Sequence, residues 1–92
     1  MGIILRYASF DRAFANLSAD QQQAARAAVL QIPLVFGQPH QHSGVGIRQI
    51  GAYFECRAGL GLRVLFRVRQ GDYVLLTVGN HDHIRSYIKN NR

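Results

Sequence analysis

From Val45 onward apolar and polar residues alternate with a period of two, most sharply in Leu62-Arg63-Val64-Leu65-Phe66-Arg67-Val68-Arg69. Successive side chains of a strand point to opposite faces. Leu62, Val64, Phe66 and Val68 therefore share a face that belongs to a core. Arg63, Arg67 and Arg69 share the other, with Leu65 among them. The same period predicts four strands, at 45–50, 53–58, 61–69 and 73–78, joined by tight turns into a meander. In the strand before the Ala58-Gly-Leu-Gly61 turn, Phe54, Cys56 and Ala58 take the inward parity, and Tyr53, Glu55 and Arg57 the outward one. The short turn makes these strands neighbours, so Glu55 and Arg57 are expected on the exposed face with Arg63 and Arg67.

The N-terminal half has a different period. Ile3–Tyr7 reads as a short strand. Ser9 is expected to cap a short helix whose Phe10, Phe14 and Leu17 form one buried stripe. Ser18-Ala-Asp-Gln21 has the spacing of a capping box and opens a second, alanine-rich helix that Pro33 is expected to end near Ile32. Ala24, Ala25, Ala28 and Ile32 can pack on a sheet. The Gly, Pro and polar residues between Phe36 and Gly44 predict the one long loop. A last helix is expected to begin near Asp82, with Asp82 as its cap. The order β-α-α-β-β-β-β-α predicts a single α+β domain over residues 1–92. Its antiparallel, meander-rich sheet would carry two N-terminal helices and a short C-terminal one.

Charge narrows the partner. Among 92 residues, Lys and Arg number 11 against 5 Asp and Glu, a net charge of +6, and every basic residue except Lys89 is arginine. Arginine presents a planar, permanent fork that grips phosphate oxygens in pairs. One cross-strand pair with Glu55 is worth about 0.2–1 kcal/mol and accounts for a single arginine. The others crowd together unless an anion joins them, which favours a phosphate-binding face. Arg48, Arg57, Arg67 and Arg69 are the candidates for holding RNA. The single cysteine, Cys56, excludes an internal disulfide and a cysteine-rich zinc site, so a reducing cytoplasm is expected. No run is long and apolar enough for a bilayer span or a signal peptide, and no membrane partner is expected.

His81 and His83 flank Asp82 at the expected helix start, where free N–H groups attract phosphate and the helix dipole disfavours imidazolium. Either can serve as acid or base, or be a plain surface residue. Tyr87, one turn past His83, lies near the apolar stripe of that helix; it is a core tyrosine or a group reaching the site. His40 and His42 fall in the long loop. A four-histidine zinc site with His81 and His83 would be unusual, and neither a metal nor a cofactor is assigned.

The ordered set Tyr53-Phe-Glu-Cys-Arg57, Leu62-Arg63-Val-Leu-Phe66, Val78-Gly79 and Tyr87 resembles the RelE/ParE superfamily, the small toxins of bacterial type II toxin–antitoxin modules. The resemblance spans essentially the whole chain, with Leu62 and Phe66 in place of the family's tyrosines. Its RelE-like branch implies an endoribonuclease that cleaves mRNA in the ribosomal A site by attack of a 2′-hydroxyl on its own phosphodiester. Carried over, Arg63 matches the arginine that binds the scissile phosphate, Arg57 the basic residue before the turn, and Tyr87 the C-terminal aromatic. His81 stands where members have arginine or histidine. The lysines that RelE-like toxins carry near Tyr53 and Glu55 are absent, which shifts proton transfer toward histidine and toward Glu55, as in the YoeB-like subgroup. The implied partners are mRNA, the ribosome and a cognate antitoxin whose acidic or amphipathic segment covers the basic face. Two alternatives stay open: a ParE-like gyrase poison without RNA chemistry, and a non-catalytic RNA- or protein-binding module.

Overall fold

The computed structural model describes residues 2–36, 46–59 and 61–91. His40 and His42, with the rest of the expected loop from Gly37 on, lie outside the described residues. Strand β1 (Ile4–Arg6) leads into helices α1 (Ala8–Ala15) and α2 (Ala19–Val35). Strands β2 (Ile47–Ile50), β3 (Tyr53–Arg57), β4 (Arg63–Arg69) and β5 (Asp72–Gly79) follow, and helix α3 (His81–Asn90) closes the chain. The sheet order is β1-β5-β4-β3-β2.

β2 to β5 form the antiparallel meander, but β1 pairs in parallel with β5, Ile4 opposite Tyr73 and Arg6 opposite Leu75. The sheet is therefore mixed rather than wholly antiparallel. The reason lies in β5, where Val74, Leu75, Leu76, Thr77 and Val78 are all buried. An apolar run without alternation needs cover on both faces and pairing on both edges. β4 takes one edge and β1 the other.

Both faces are covered. On one, Phe10, Ala25, Ile32 and Val35 from α1 and α2 pack with Cys56, Val64, Phe66, Leu75 and Val78. Phe36, Phe54, Phe66 and Tyr73 add a group of rings with centroids 4.8–6.5 Å apart, within the range of favourable edge and stacked contacts. On the other, Ile84 of α3 seals Leu65, Val74 and Leu76, with Tyr53, Tyr87 and Ile88 around them. This second core overturns the expectation that the arginine-bearing face lies open. Leu65 is fully buried because α3 folds back across that face, and Glu55, beneath the Arg48 and Arg63 side chains, is only 3% exposed.

The capping box of α2 is present: Gln21 N–H donates to Ser18 Oγ, and Ser18 N–H to the Gln21 side chain. Three other helix-end expectations change. Ser9 does not cap α1; Tyr7 holds that position without a side-chain bond, and the Ser9 hydroxyl donates to the Leu76 carbonyl inside the sheet. Helix α2 runs through Pro33 to Val35, which costs little because a proline in the last turn removes only one helical hydrogen bond. Asn80, not Asp82, caps α3, and its Oδ1 accepts from His83 N–H at 2.8 Å. Two polar residues of the capping set stood two positions apart, and β5 ends at Gly79, so the first of them is used.

The β4–β5 turn has positive φ at both central residues, 53° at Gln70 and 83° at Gly71. That backbone suits the twist of a two-residue hairpin but strains a glutamine. Gln70→Asn is expected to raise the unfolding free energy by about 0.5 kcal/mol, since asparagine tolerates the left-handed region better. A urea midpoint that does not move upward would count against this.

Candidate functional site

β2, β3 and β4 lay their basic residues in one row. Register places Arg48 opposite Glu55 and Arg57 opposite Arg63, and directly paired residues point to the same face of a sheet. The row opens into a pocket of about 390 Å³ lined by Gly46, Ile47, Arg48, Glu55, Arg57 and Arg63. Glu55 is its anchor. Its Oε1 accepts from Arg63 and stands 3.1 Å from the Arg48 guanidinium. Its Oε2 is buried without a hydrogen bond, as is Arg63 Nε.

The two ion pairs differ in kind. The Arg48 side chain is 60% exposed and that of Arg63 25%, against 4% for Glu55. The pair with Arg63 is the one taken substantially out of water, so it holds the geometry, while Arg48 contributes at the level of a surface pair. Arg57 is exposed, and its side chain has no hydrogen bond or ion pair among the described residues. Its backbone passes so close to Gly46 that a Cβ there would sit 2.8 Å from Arg57 Cβ. One carboxylate thus answers two of the three guanidinium groups, and the pocket keeps a surplus of positive charge turned toward solvent.

His83 borders this row. β4 pairs with β5 so that Arg63 stands opposite Gly79, about 4.8 Å away by strand spacing. The His83 ring lies on Gly79: a Cβ there would fall 2.6 Å from Cδ2 and 2.7 Å from Cγ. His83 Nε2 is 2.8 Å from Thr77 Oγ1. His83 and Gly79 also border a depression of about 440 Å³ with Asn16, Gln21, Leu62 and Asn80. Larger depressions lie between β1 and the first two helices and between Ile50 and α3. Neither brings a histidine to a cluster of arginines, so size does not locate the chemistry.

Of the residues singled out from sequence, the fold gathers Arg48, Glu55, Arg57 and Arg63 in one pocket, with His83 beside it. His81 opens α3, exposed and without a side-chain hydrogen bond or ion pair among the described residues. Tyr87 packs half-buried on the second core, and its hydroxyl has no partner among the described residues. Arg67 shares the parity of Arg63 but is spent elsewhere, donating to the Tyr7 hydroxyl at 2.7 Å and lying 5.8 Å from that ring's centroid. Arg69 sits at the far hairpin, opposite Asp72. These two do not join the pocket, because α3 crosses the sheet between them and it. Burial pushes the Cys56 thiol up to about 11, so it is a protonated core side chain and not a nucleophile. Sequence reasoning missed Thr77, and it named Gly79 only within the family resemblance, not as the seat of the His83 ring. A lone threonine in an apolar strand and a glycine where a strand meets a helix were the available signals.

No helix among the described residues is long and apolar enough to cross a membrane. No family model and no curated protein sequence matches the chain. Solved structures do match its fold. The isolated RelE toxin of E. coli superposes with a TM-score of 0.65 at 8% identity, over 98% of each chain. E. coli YafQ gives 0.65 at 8% identity over 91% of this chain and 98% of that one. The RelB–RelE antitoxin–toxin complex of Methanococcus jannaschii gives 0.63 at 12% identity over 90% and 96%. Superposing at TM-scores of 0.63–0.65 across nearly the full chain, the fold is that of the RelE toxins.

Proposed function

We propose that this chain is the toxin of a toxin–antitoxin module and an endoribonuclease that cleaves mRNA in the ribosomal A site. The observation that carries the reading is the pocket in which Glu55 orders Arg48 and Arg63, leaves the Arg57 guanidinium without a partner among the described residues, and adjoins the ring of His83. The reaction is attack of a ribose 2′-oxygen on the adjacent phosphorus. The O2′–P bond forms, the P–O5′ bond breaks, one proton leaves the 2′-hydroxyl and one reaches the departing 5′-oxygen. Arg63 and Arg57 meet the charge that grows on the non-bridging oxygens, a contribution of about 10²- to 10³-fold per preorganised donor. His83 takes the proton-transfer role. Glu55, buried beneath two guanidinium groups, positions them and does not meet the 2′-hydroxyl. Tyr87, whose hydroxyl has no partner among the described residues, is within one helical turn of His83 and can touch the substrate from the same helix. His81, exposed at the helix start, is left to electrostatic contact with RNA.

A surplus of arginine suits an inhibitor of opposite charge, so an antitoxin with an acidic or amphipathic segment is the expected partner. The M. jannaschii neighbour is itself an antitoxin–toxin complex. Primer extension on mRNA from a translation extract dosed with the protein tests the activity. Breaks are expected inside codons positioned in the A site, and none on the same RNA without ribosomes. Intact mRNA combined with growth arrest in cells would refute the nuclease and favour a gyrase poison.

A further inference from the structure

β5 contains a bulge that decides what α3 sees. Leu65 pairs with Thr77 and Phe66 with Leu75, so Leu76 is an extra residue without a partner on β4. Across it the alternation slips by one: Leu75 and Val78 face the first core, while Leu76, Thr77 and Gly79 face α3. Without the extra residue Thr77 and Gly79 would point into the first core. Bulges recur where a strand must re-aim a side chain. Here the re-aimed side chain is that of Thr77, a residue 2% exposed and paired opposite Leu65 on the face of the second core, in a position where valine would fill the same volume. Its only hydrogen-bond partner among the described residues is His83 Nε2, at 2.8 Å.

Three restraints therefore converge on one imidazole. Asn80 Oδ1 accepts from the His83 backbone N–H. Gly79 lies against the ring's Cβ, Cγ and Cδ2 edge, where no other residue would leave room. Thr77 holds Nε2. Nδ1 belongs to the opposite edge of the ring and has no partner among the described residues. We propose that Thr77 is a positioning residue, whose hydroxyl fixes the His83 ring over Gly79 and leaves Nδ1 as the nitrogen that exchanges a proton with substrate. For Nδ1 to exchange the proton, the neutral ring carries its hydrogen on Nε2 and donates it to the Thr77 hydroxyl; the charged ring keeps that same bond, so one contact serves both halves of a proton transfer. The catalytic part of this inference rests on the nuclease reading; the ring's restraint does not.

The test has two arms on the intact protein. In the first, ¹⁵N-detected NMR of the imidazole is compared between wild type, Thr77→Val and Thr77→Ser. Wild type and Thr77→Ser are expected to show one dominant neutral tautomer of His83, and Thr77→Val a mixture. In the second, single-turnover cleavage of ribosome-bound mRNA is expected to fall about 10- to 100-fold in Thr77→Val, the usual cost of a reactive group that is present but misplaced, and to recover with serine. An imidazole spectrum of Thr77→Val identical to that of wild type overturns the proposal. So does equal cleavage by the two proteins. A tautomer change with no cleavage by any of the three supports the restraint and instead sinks the nuclease reading.

Discussion

Arg63→Ala is expected to abolish mRNA cleavage and to cost about 3 kcal/mol of folding stability, read by urea denaturation. The size follows from what the substitution leaves behind. Glu55 is buried, one of its oxygens already lacks a hydrogen bond, and the mostly exposed Arg48 would be its remaining partner. Removing one member of a buried pair strands the other charge, at a cost of about 3–5 kcal/mol when nothing else compensates. Arg48 supplies partial compensation, which places the loss at the lower end. Domains of this size are stable by only about 5–15 kcal/mol, so the midpoint should shift visibly. Replacing both members, as Glu55→Gln with Arg63→Gln, should recover more than half of the loss, because no buried charge is then left alone. Arg57→Ala separates binding from folding. It has no partner among the described residues, so stability should stay within about 0.5 kcal/mol while cleavage falls at least about tenfold. Full activity in Arg57→Ala, or an unchanged midpoint in Arg63→Ala, would contradict this account of the pocket.

The two histidines should part company as sharply. His83→Ala is expected to lower the cleavage rate about 100-fold, the usual yield of a positioned general acid or base. His81→Ala should change it less than about threefold, since an exposed ring at a helix start contributes mainly screened electrostatics. Neither should disturb the fold, because Ile84 rather than either histidine seals the second core. Gly79→Ala provides a check on geometry: a Cβ there would overlap the His83 ring at 2.6 Å, so the ring must move although every candidate chemical group remains. Its activity should fall toward that of His83→Ala. If His81→Ala proves the more damaging substitution, proton transfer belongs at the helix start and the role given to His83 is wrong.

Much of this site was legible in the chain before any fold was known. Alternation along 53–58 and 61–69 assigned Glu55, Arg57 and Arg63 to one face, because a strand's period of two is a local property of the backbone. The capping box at Ser18 and Gln21 was equally local. The same alternation could not say whether that face meets water. Its exposure depends on α3, whose apolar side is evident in sequence but whose docking partner is not. Leu65, Glu55 and Arg67 were thus given the right parity and, in part, the wrong surroundings.

What escaped the sequence was everything that depends on two distant segments meeting. The unbroken apolar run of β5 signals burial on both faces, yet only the folded chain names β1 as the strand lying parallel on its free edge. A bulge at Leu76 is invisible without its partner strand, and with it goes the reason that Thr77 and Gly79 face His83. Local periodicity determined which residues could share a face, since covalent geometry dictates it. Tertiary packing decided which of them are dry, paired and aimed at one another, because burial and charge pairing are set by neighbours remote along the chain.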